Sequence, residues 1–435
     1  MNRTYRTVWN ASLGAWVATS EAARRGHKSG VRSALSLAAV VPLLAAMGTA
    51  QAACSTIGST VTCTGVPGLP LFLNNFSSAT NGLTVNVNSG AQMNATLGGA
   101  VMNLNGVVTT LNNSGTIDPA LLGLVSVLSG GVAMGTGAST SYSITNLASG
   151  IIRGTAGGQG ATLTSVGGLA LNVNNGMSGF TSIVNSGTVT STRLSTDSVV
   201  ASDAPIVGVR GGGQVNMTNN ATGVLTGRTA FEASTAGNAF TNFGTINGGV
   251  SMGAGGGANN FTAVTGSSVS AAGGTGQALG GLSGVNLTFA ATGQVDGGVG
   301  DANTLTLRNV ADDHSSTGSG TASAATYVNF ANLTVQGGTW ALQGALVSGS
   351  TTLNGGVAMF SDAAAFGSGV LTSSGGAVQA TANELTVGNG VSLGAGGLMV
   401  QGLNSMSLTG EISGSGGLTK NGAGQLTLGA ANTYV

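Results

Sequence analysis

Short segments in which every second residue is apolar recur along most of the chain. They include Leu83/Val85/Val87, Leu169/Leu171/Val173, Leu305/Leu307, Leu333/Val335, Leu385/Val387 and Leu426/Leu428. An apolar period of two, with Thr, Val and Asn at the intervening positions, is typical of β-strands. From Cys54 onward no stretch sustains the helical period of about 3.6 residues. The sequence therefore predicts an all-β chain.

An Asn-rich turn, followed by Gly and a β-branched residue, also recurs. Its glycines are 35, 37, 36 and 21 residues apart, at Gly115, Gly150, Gly187, Gly223 and Gly244. This spacing is compatible with one or two coils of a solenoid per motif. We expect Asn and Gly at the corners, because both tolerate left-handed backbone, and we expect stacked Asn side chains to hydrogen-bond along the stack.

These patterns predict a right-handed parallel β-helix of about 16 coils with about 23 residues each. The alternative is a sandwich or propeller, whose core would need more aromatic side chains than the 4% in this chain. Disorder is disfavoured because 41% of the residues are hydrophobic, although 78 are Gly and only 6% are charged. Collagen would need Gly at every third position, which is not observed.

Charge is distributed unevenly along the chain. Six of the twelve basic residues lie in the first 32 positions, namely Arg3, Arg6, Arg24, Arg25, Lys28 and Arg32. The remainder holds six basic and eleven acidic side chains, a net charge of −5. No basic patch remains to hold a phosphate backbone, so no nucleic-acid partner is expected.

The amino-terminal 52 residues have the organisation of a cleavable, helical signal segment. A long basic region (1–33) precedes an apolar run of fourteen residues (34–47) and an A-x-A site that predicts cleavage after Ala52, before Ala53. A membrane anchor is the alternative, but the run is shorter than the roughly 20 residues that span a bilayer.

The basic region has a specific pattern beyond its charge. Tyr5 and Arg6, the Trp9-Asn10 pair, the core LGAWV (13–17) and the Ser20-Glu21 pair stand in a distinctive order. The segment resembles the extended signal peptide region of autotransporters and large two-partner exoproteins. The resemblance implies export by the Sec machinery, with inner-membrane targeting delayed so that the passenger does not misfold in the periplasm.

Residues 410–435 contain a second specific pattern. The matching positions are Gly416, Gly417, Leu418, Lys420, Gly422, Gly424, Leu426, Leu428, Asn432 and Tyr434. They resemble the passenger-associated transport repeat of autotransporters, with a departure at Gly429-Ala430. The resemblance implies a β-helical passenger over 53–409, efficient secretion and a carboxyl-terminal outer-membrane barrel as partner. Because the chain ends within the repeat, we expect a fragment or truncated product that lacks this barrel.

Cys54 and Cys63 both remain after the expected cleavage. Their spacing of nine suits a small hairpin, and an even pair in an oxidising compartment predicts a disulfide. Two cysteines without a nearby His are a poor metal site.

Few residues suggest catalysis. His314 beside Asp312 and Asp313 could act as a base or weak metal site, but three consecutive residues cannot all face one pocket on a strand, so we expect a solvated loop. Two G-x-S-x-G matches (249–253 and 390–394) lack the strand-turn-helix context of a hydrolase elbow. The string 297–305 is close to a calcium-binding nonapeptide repeat, but its Asp301 stands one position early. No catalytic residue, cofactor or metal is expected, and the chain is not expected to be an enzyme.

The resemblance then implies a passenger displayed on the cell surface or outer membrane, or secreted, and retained in the periplasm if no barrel follows. The leading hypothesis is an adhesin-like factor that contacts a host or neighbouring-cell surface. The alternatives are the scaffold of an enzymatic autotransporter, whose catalytic part lies outside this chain, and a non-functional truncated remnant.

Overall fold

The computed structural model describes residues 5–10, 15–20, 53–66, 74–94, 99–120, 129–155, 166–191, 200–274, 276–281, 285–300 and 302–435. The chain forms two compact units, Met1–Thr49 and Ala50–Val435. The described residues contain strands and the short 3₁₀ helices Ala201–Asp203 and Ala363–Phe366, with no α-helix. The prediction of an all-β chain is confirmed.

The first unit contains an antiparallel hairpin of Tyr5–Asn10 and Ala15–Ser20. Trp9 lies opposite Trp16 in this pairing. The helical signal segment expected here is not what these residues form; both strands are rich in Val, Thr and aromatic residues, which favour extended backbone. The apolar run 34–47 and Ala52 lie outside the described residues. No described helix is long and apolar enough to cross a membrane.

The described residues of the second unit form five sheets. Sheet 1 has 15 strands. They are Ala53–Ile57, Thr60–Thr64, Thr84–Val87, Thr109–Asn113, Ser141–Asn146, Phe180–Asn185, Gln214–Asn219, Ala239–Asn242, Asn260–Val264, Thr304–Arg308, Asn332–Val335, Thr351–Leu353, Leu371–Ser373, Val391–Leu393 and Ile412–Gly414.

Sheets 2 and 3 accompany the amino-terminal part of sheet 1. Sheet 2 consists of Gln92–Met93, Thr116–Ile117, Ile151–Gly154, Thr188–Ser191, Val224–Thr226, Thr245–Asn247 and Ser268–Ser270. Sheet 3 consists of Phe76–Ser78, Met102–Leu104, Val132–Met134, Leu171–Asn174, Pro205–Arg210, Arg228–Phe231, Val250–Ser251, Val295–Asp296 and Tyr327–Val328.

Sheets 4 and 5 accompany its carboxyl-terminal part. Sheet 4 consists of Ser319–Ser323, Thr339–Gln343, Val357–Phe360, Gly376–Ala380, Leu398–Gln401 and Leu418–Lys420. Sheet 5 consists of Leu385–Val387, Met406–Leu408 and Leu426–Leu428. The expected parallel β-helix is confirmed; its right-handedness stays a prediction of the crossover rule.

Equivalent strands stack in register, which aligns the apolar side chains of successive coils. In sheet 1, Val85 pairs with Leu111, Leu111 with Ile144 and Ile144 with Ile183, and all four are buried. Fourteen described strands of this sheet, from Thr60–Thr64 onward, stack in parallel. The expectation of about 16 coils counts the whole chain and stays a prediction.

The asparagines of the recurring turn form a buried ladder. The Nδ2 of Asn113 donates to Oδ1 of Asn146 at 2.8 Å, and the same contact continues through Asn185, Asn219 and Asn242 at 2.8, 2.8 and 2.9 Å. All five are at most 1% exposed. Each amide is thus satisfied by its neighbours in the stack, and the expected Asn stacking is confirmed.

The glycines of the same turn serve a different purpose from the one expected. Gly115, Gly150, Gly187, Gly223 and Gly244 all have negative φ, as do the five ladder asparagines, so left-handed backbone does not explain them. A Cβ at any of these glycines would lie 2.1–2.6 Å from an oxygen atom. Gly is required because the chain passes close to neighbouring backbone or to a ladder amide.

Candidate ligand-binding cleft

The clearest interruption of the regular coil is the segment 271–294, which leaves sheet 2 and returns to sheet 3. Its Leu279 and Phe289 form an isolated antiparallel bridge. With Leu287 they pack on Leu169 and Ala230, as a small hydrophobic cluster separate from the main core. We call residues 271–294 the excursion; of these, the structure describes 271–274, 276–281 and 285–294.

Gly208 makes room for the excursion on sheet 3. A Cβ at this position would lie 2.7 Å from Cδ1 of Leu169 and 2.9 Å from Cδ1 of Leu287. The missing side chain lets the two leucines meet over the strand. Burial of Leu287 and Phe289, both 0% exposed, then supplies roughly 1.5–3 kcal/mol per side chain toward holding the excursion in place.

A buried cation ties the excursion to the coil. Arg228 is 1% exposed, and its Nη1 donates to the carbonyl oxygen of Ala290 at 3.2 Å and to that of Gln277. Its Nη2 lies 3.6 Å from Oδ1 of Asp203, which also accepts from the Gly276 N–H at 3.1 Å. Burial lowers the pKa of Arg228, and the Asp203 carboxylate opposes that effect. The pair fixes the excursion at both of its ends.

Beside the excursion lies a cleft of about 860 Å³. Its floor is formed where successive strands of sheet 3 end. Asn174 pairs with Arg210 on the next strand. Val209 pairs with Phe231 on the strand after that, so the residues that follow them, Arg210 and Glu232, lie next to each other. The excursion contributes one wall. The lining residues that carry the argument below are Asn174, Met177, Arg210, Glu232, Asn286, Asp296 and Val299.

The two carboxylates of the cleft already accept hydrogen bonds from backbone N–H groups. Glu232 accepts from the N–H of Gly211 and, at 3.2 Å, from that of Asn286 in the excursion. Asp296 accepts from the N–H of Gly298 at 2.9 Å and from Nδ2 of Asn329 at 2.8 Å. These contacts brace the wall and the floor.

Arg210, by contrast, contacts only neutral groups. Its Nε donates to Oδ1 of Asn172 at 3.4 Å. Its Nη1 donates at 3.0 Å to Oδ1 of Asn174, once that amide is oriented to satisfy its neighbours. The ion pairs within the described ranges involve Arg153, Arg228 and Arg308, and none involves Arg210. Arg210 therefore forms no ion pair within the described ranges, although Glu232 and Asp296 line the same cleft.

A second cavity of about 520 Å³ adjoins the first and shares Gly298 and Val299 with it. Its apolar lining includes Tyr327, Phe330, Leu346 and Val347. Val299 is 68% exposed, and Met177, in the first cavity, is 79% exposed. The two cavities together offer charged, polar and apolar surface along successive coils of sheet 3.

The sequence candidates for catalysis do not converge. Asp312 pairs with Arg308 at 2.8 Å, Asp313 accepts from Asn309 and Ser315, and Nδ1 of His314 lies 3.0 Å from the carbonyl oxygen of Gln336. The hydrogen bonds from Asn309 and Ser315 lower the pKa of Asp313. In the part of the chain that is described, no cluster of three or more His, Cys, Asp or Glu residues is arranged to hold a metal.

The two G-x-S-x-G segments lie on strands of the solenoid. Ser251 ends a strand of sheet 3, and its Oγ accepts from the Ala290 N–H at 2.7 Å, a further tie to the excursion. Ser392 lies in the middle of Val391–Leu393 in sheet 1. Asp301, in the calcium-like string, lies outside the described residues.

Cys54 and Cys63 are joined by a disulfide across the antiparallel pair Ala53–Ile57 and Thr60–Thr64. Cys63 is fully buried, whereas Ile57 at the hairpin tip is 83% exposed. The first strand runs opposite to all those that follow in sheet 1, so this hairpin covers the amino-terminal end of the stacked sheet. Ala53 begins that strand, and Ala52 lies outside the described residues.

The carboxyl-terminal pattern occupies the last strands of sheets 4 and 5, Leu418–Lys420 and Leu426–Leu428. A Cβ at Gly416 or Gly424 would lie 1.8 or 2.1 Å from a carbonyl oxygen of the preceding coil. Oδ1 of Asn432 accepts from the Ile412 N–H at 2.9 Å. Contacts thus account for Gly416, Gly424 and Asn432, whereas a Cβ at Gly417 would meet no atom within 4 Å.

Sequence reasoning missed Asp203, Arg210, Arg228 and Glu232 as participants in a site. One signal was available: in a chain with only 6% charged residues, these four lie within 30 positions of one another. Scarce charges that cluster in sequence indicate a local polar arrangement.

Comparison with known proteins identifies the amino-terminal segment. Residues 1–50 match the family model described as the extended signal peptide of the type V secretion system. No curated protein and no solved structure matches the chain. The signal implies export through Sec and an outer-membrane translocator as partner. With this signal in front of a parallel β-helix, the chain is an exported passenger of the autotransporter, or type V, secretion class.

Proposed function

We propose that this passenger is an adhesin-like surface factor that binds a host or neighbouring cell through the cleft beside the excursion. The observation that carries the proposal is the open cleft, in which Arg210 forms no ion pair within the described ranges and lies with Glu232 and Asp296 beside exposed apolar side chains. Ion pairs elsewhere in the solenoid neutralise the other arginines of the described coils. An unpaired cation beside exposed Met177 and Val299 is the mixture found at recognition surfaces.

The way the cleft is built also supports recognition. The excursion is held by buried apolar contacts, by Arg228 and by Ser251, so its wall is fixed before any ligand arrives. A preformed wall lowers the entropy cost of binding.

The proposed role is binding rather than catalysis. His314, Asp312 and Asp313 turn to separate partners, and the cleft carboxylates are engaged by backbone N–H groups. Display at the cell surface by an outer-membrane translocator completes the proposal. Two other functions compete with this proposal: a scaffold whose catalytic part lies elsewhere in a longer protein, and a remnant without function. The following experiment distinguishes adhesion from both.

The test uses the full chain expressed in a Gram-negative host and recovered after export. Fluorescently labelled protein is added to cultured epithelial cells and to bacterial cells, with and without an excess of unlabelled protein. Saturable binding that the unlabelled protein displaces supports an adhesin-like role. Binding that rises linearly with concentration on every surface, without displacement, would refute it.

A further inference from the structure

We infer that Met177 is an oxidation site through which peroxides weaken binding at the cleft. Oxidants of this class convert its thioether to the sulfoxide while the passenger stays folded, and an apolar edge of the cleft becomes polar. The modification itself is independent of the proposed function, whereas its effect on cell binding rests on that function.

Met177 is the most exposed methionine in the described part of the chain, with 79% of its surface accessible. Met399 follows at 37%, and Met359 is half-buried. The other methionines within the described ranges are at most 3% exposed, namely Met93, Met102, Met134, Met217, Met252 and Met406. Because an oxidant dissolved in water must reach the sulfur atom, Met177 should react first.

A well-defined turn holds Met177 in this exposed position. The preceding Asn175 is buried, and its Nδ2 donates to Oγ1 of Thr181 at 3.0 Å while its Oδ1 accepts from the Gly213 N–H at 3.1 Å. Gly176 has a φ of 68°, a left-handed conformation that favours glycine. With the backbone of the turn fixed on both sides of Gly176, exposure of the Met177 side chain follows from the fold.

The reaction transfers one oxygen atom and two electrons. A lone pair of the sulfur attacks one oxygen of hydrogen peroxide, so that a sulfur–oxygen bond forms and the oxygen–oxygen bond breaks. The departing hydroxide takes up the proton of the transferred oxygen and leaves as water. Sulfur is oxidised to the sulfoxide and the peroxide is reduced, so the step needs no reagent beyond the oxidant.

The sulfoxide forms on the surface that the proposed function uses for recognition. Met177 and Arg210 both line the cleft, and a Cβ at Gly212 would lie 3.7 Å from Cγ of Met177. Methionine is enriched at recognition surfaces because its flexible, apolar side chain adapts to a partner. Oxidation turns this side chain into a polar, chiral one, so we expect binding at the cleft to weaken.

Peptide mass mapping of the full exported chain, after brief exposure to dilute hydrogen peroxide, tests the modification site. The rate of oxygen addition at Met177 should exceed the rates at Met217 and Met252 at least tenfold, and the rate at Met399 at least twofold. In the chain unfolded by urea, the four rates should agree within twofold. Equal rates in the folded chain would overturn the inference, and so would an undiminished preference for Met177 in the unfolded chain, since exposure would then not set the preference.

Met177→Leu tests the effect on the cleft, because leucine keeps the apolar volume and has no sulfur to oxidise. After peroxide treatment, saturable cell binding by the unaltered chain should fall at least fivefold and should recover with methionine sulfoxide reductases of both epimer specificities. Binding by Met177→Leu should change less than twofold. The matched control Met399→Leu should lose binding as the unaltered chain does.

The two parts of the inference fail separately from the proposed function. Selective oxidation of Met177 with unchanged cell binding would overturn the effect on the cleft. An equal loss of binding by oxidised Met177→Leu would assign that effect to another residue. Absence of saturable binding by the unoxidised chain would reject the adhesin-like role, and the mass mapping would still decide whether Met177 is the oxidation site.

Discussion

Arg228 Nη2 lies 3.6 Å from Asp203 Oδ1 in a setting where the arginine side chain is 2% exposed. A buried arginine requires hydrogen bonds for the donors that it withdraws from water. Here two carbonyl groups of the excursion accept from Nη1, and the Asp203 carboxylate forms an ion pair with Nη2. Folding of the coil and placement of the excursion are therefore coupled through one side chain.

We expect Arg228→Met to release the excursion. The substitution leaves Asp203 without its partner, so the free energy of unfolding should fall by about 3 kcal/mol. Limited proteolysis with mass spectrometry should find new cleavage between 271 and 294. The control Arg153→Met breaks an ion pair whose arginine side chain is 35% exposed and should cost less than about 1 kcal/mol. If the earliest cleavage in Arg228→Met occurred outside residues 271–294, Arg228 would not be the side chain that holds the excursion.

We expect the buried Asn ladder to stabilise the solenoid. Asn185→Ala removes a donor and an acceptor between Asn146 and Asn219 and leaves both neighbouring amides short of a partner. The free energy of unfolding should fall by about 2–3 kcal/mol, measured by urea denaturation. Asn216→Ala, at an exposed position of the adjacent strand, is the matched control and should change stability by less than about 0.5 kcal/mol. Equal effects would show that the ladder is not stabilising.

Two buried tyrosines predict a loss of stability at high pH. Burial raises the pKa of Tyr142 and of Tyr327. Because the folded pKa values lie above those of the unfolded chain, this stabilisation is complete below about pH 10 and is lost as the pH rises further. Tyr327→Phe should flatten the fall in stability above pH 10. Urea midpoints from pH 8 to 11 test this, and an unchanged slope would be evidence against the assignment.

The disulfide hairpin should stabilise the amino-terminal end of the solenoid. Replacing Cys54 and Cys63 together by Ala opens a loop with a sequence separation of nine and should cost about 2–3 kcal/mol. Hydrogen exchange should increase in 53–66 and in the next coil. Ile57→Ser, at the exposed tip, is the control and should leave exchange unchanged. Exchange that rises evenly over all coils would argue against an end-capping role.

The exported protein should begin at Ala53. The A-x-A site places cleavage after Ala52, so Edman sequencing of the protein recovered from the periplasm should start with Ala-Cys-Ser-Thr. Replacing Ala52 by a bulky residue such as Leu should cause precursor to accumulate. A mature terminus elsewhere would move the boundary of the passenger.

The sequence predicted the solenoid better than it predicted the cleft, for a physical reason. Strand stacking repeats the same demand in each coil, so Val85, Leu111 and Ile144 appear as a pattern. The same repetition made the Asn ladder recognisable in the sequence. The glycines of that motif, however, are explained by close contacts and not by left-handed backbone. The cleft occurs once, and Arg210, Glu232 and Asn286 meet through strand register and an irregular segment that leave no periodic trace.

The most direct test of the account compares cell binding by two variants with the same change of charge. Arg210→Glu reverses the charge inside the cleft, and Arg153→Glu reverses it on sheet 2. Circular dichroism first establishes that both variants are folded. We then expect at least a tenfold loss of saturable cell binding for Arg210→Glu and less than a twofold change for Arg153→Glu. Equal binding by the two variants would contradict a recognition role for the cleft.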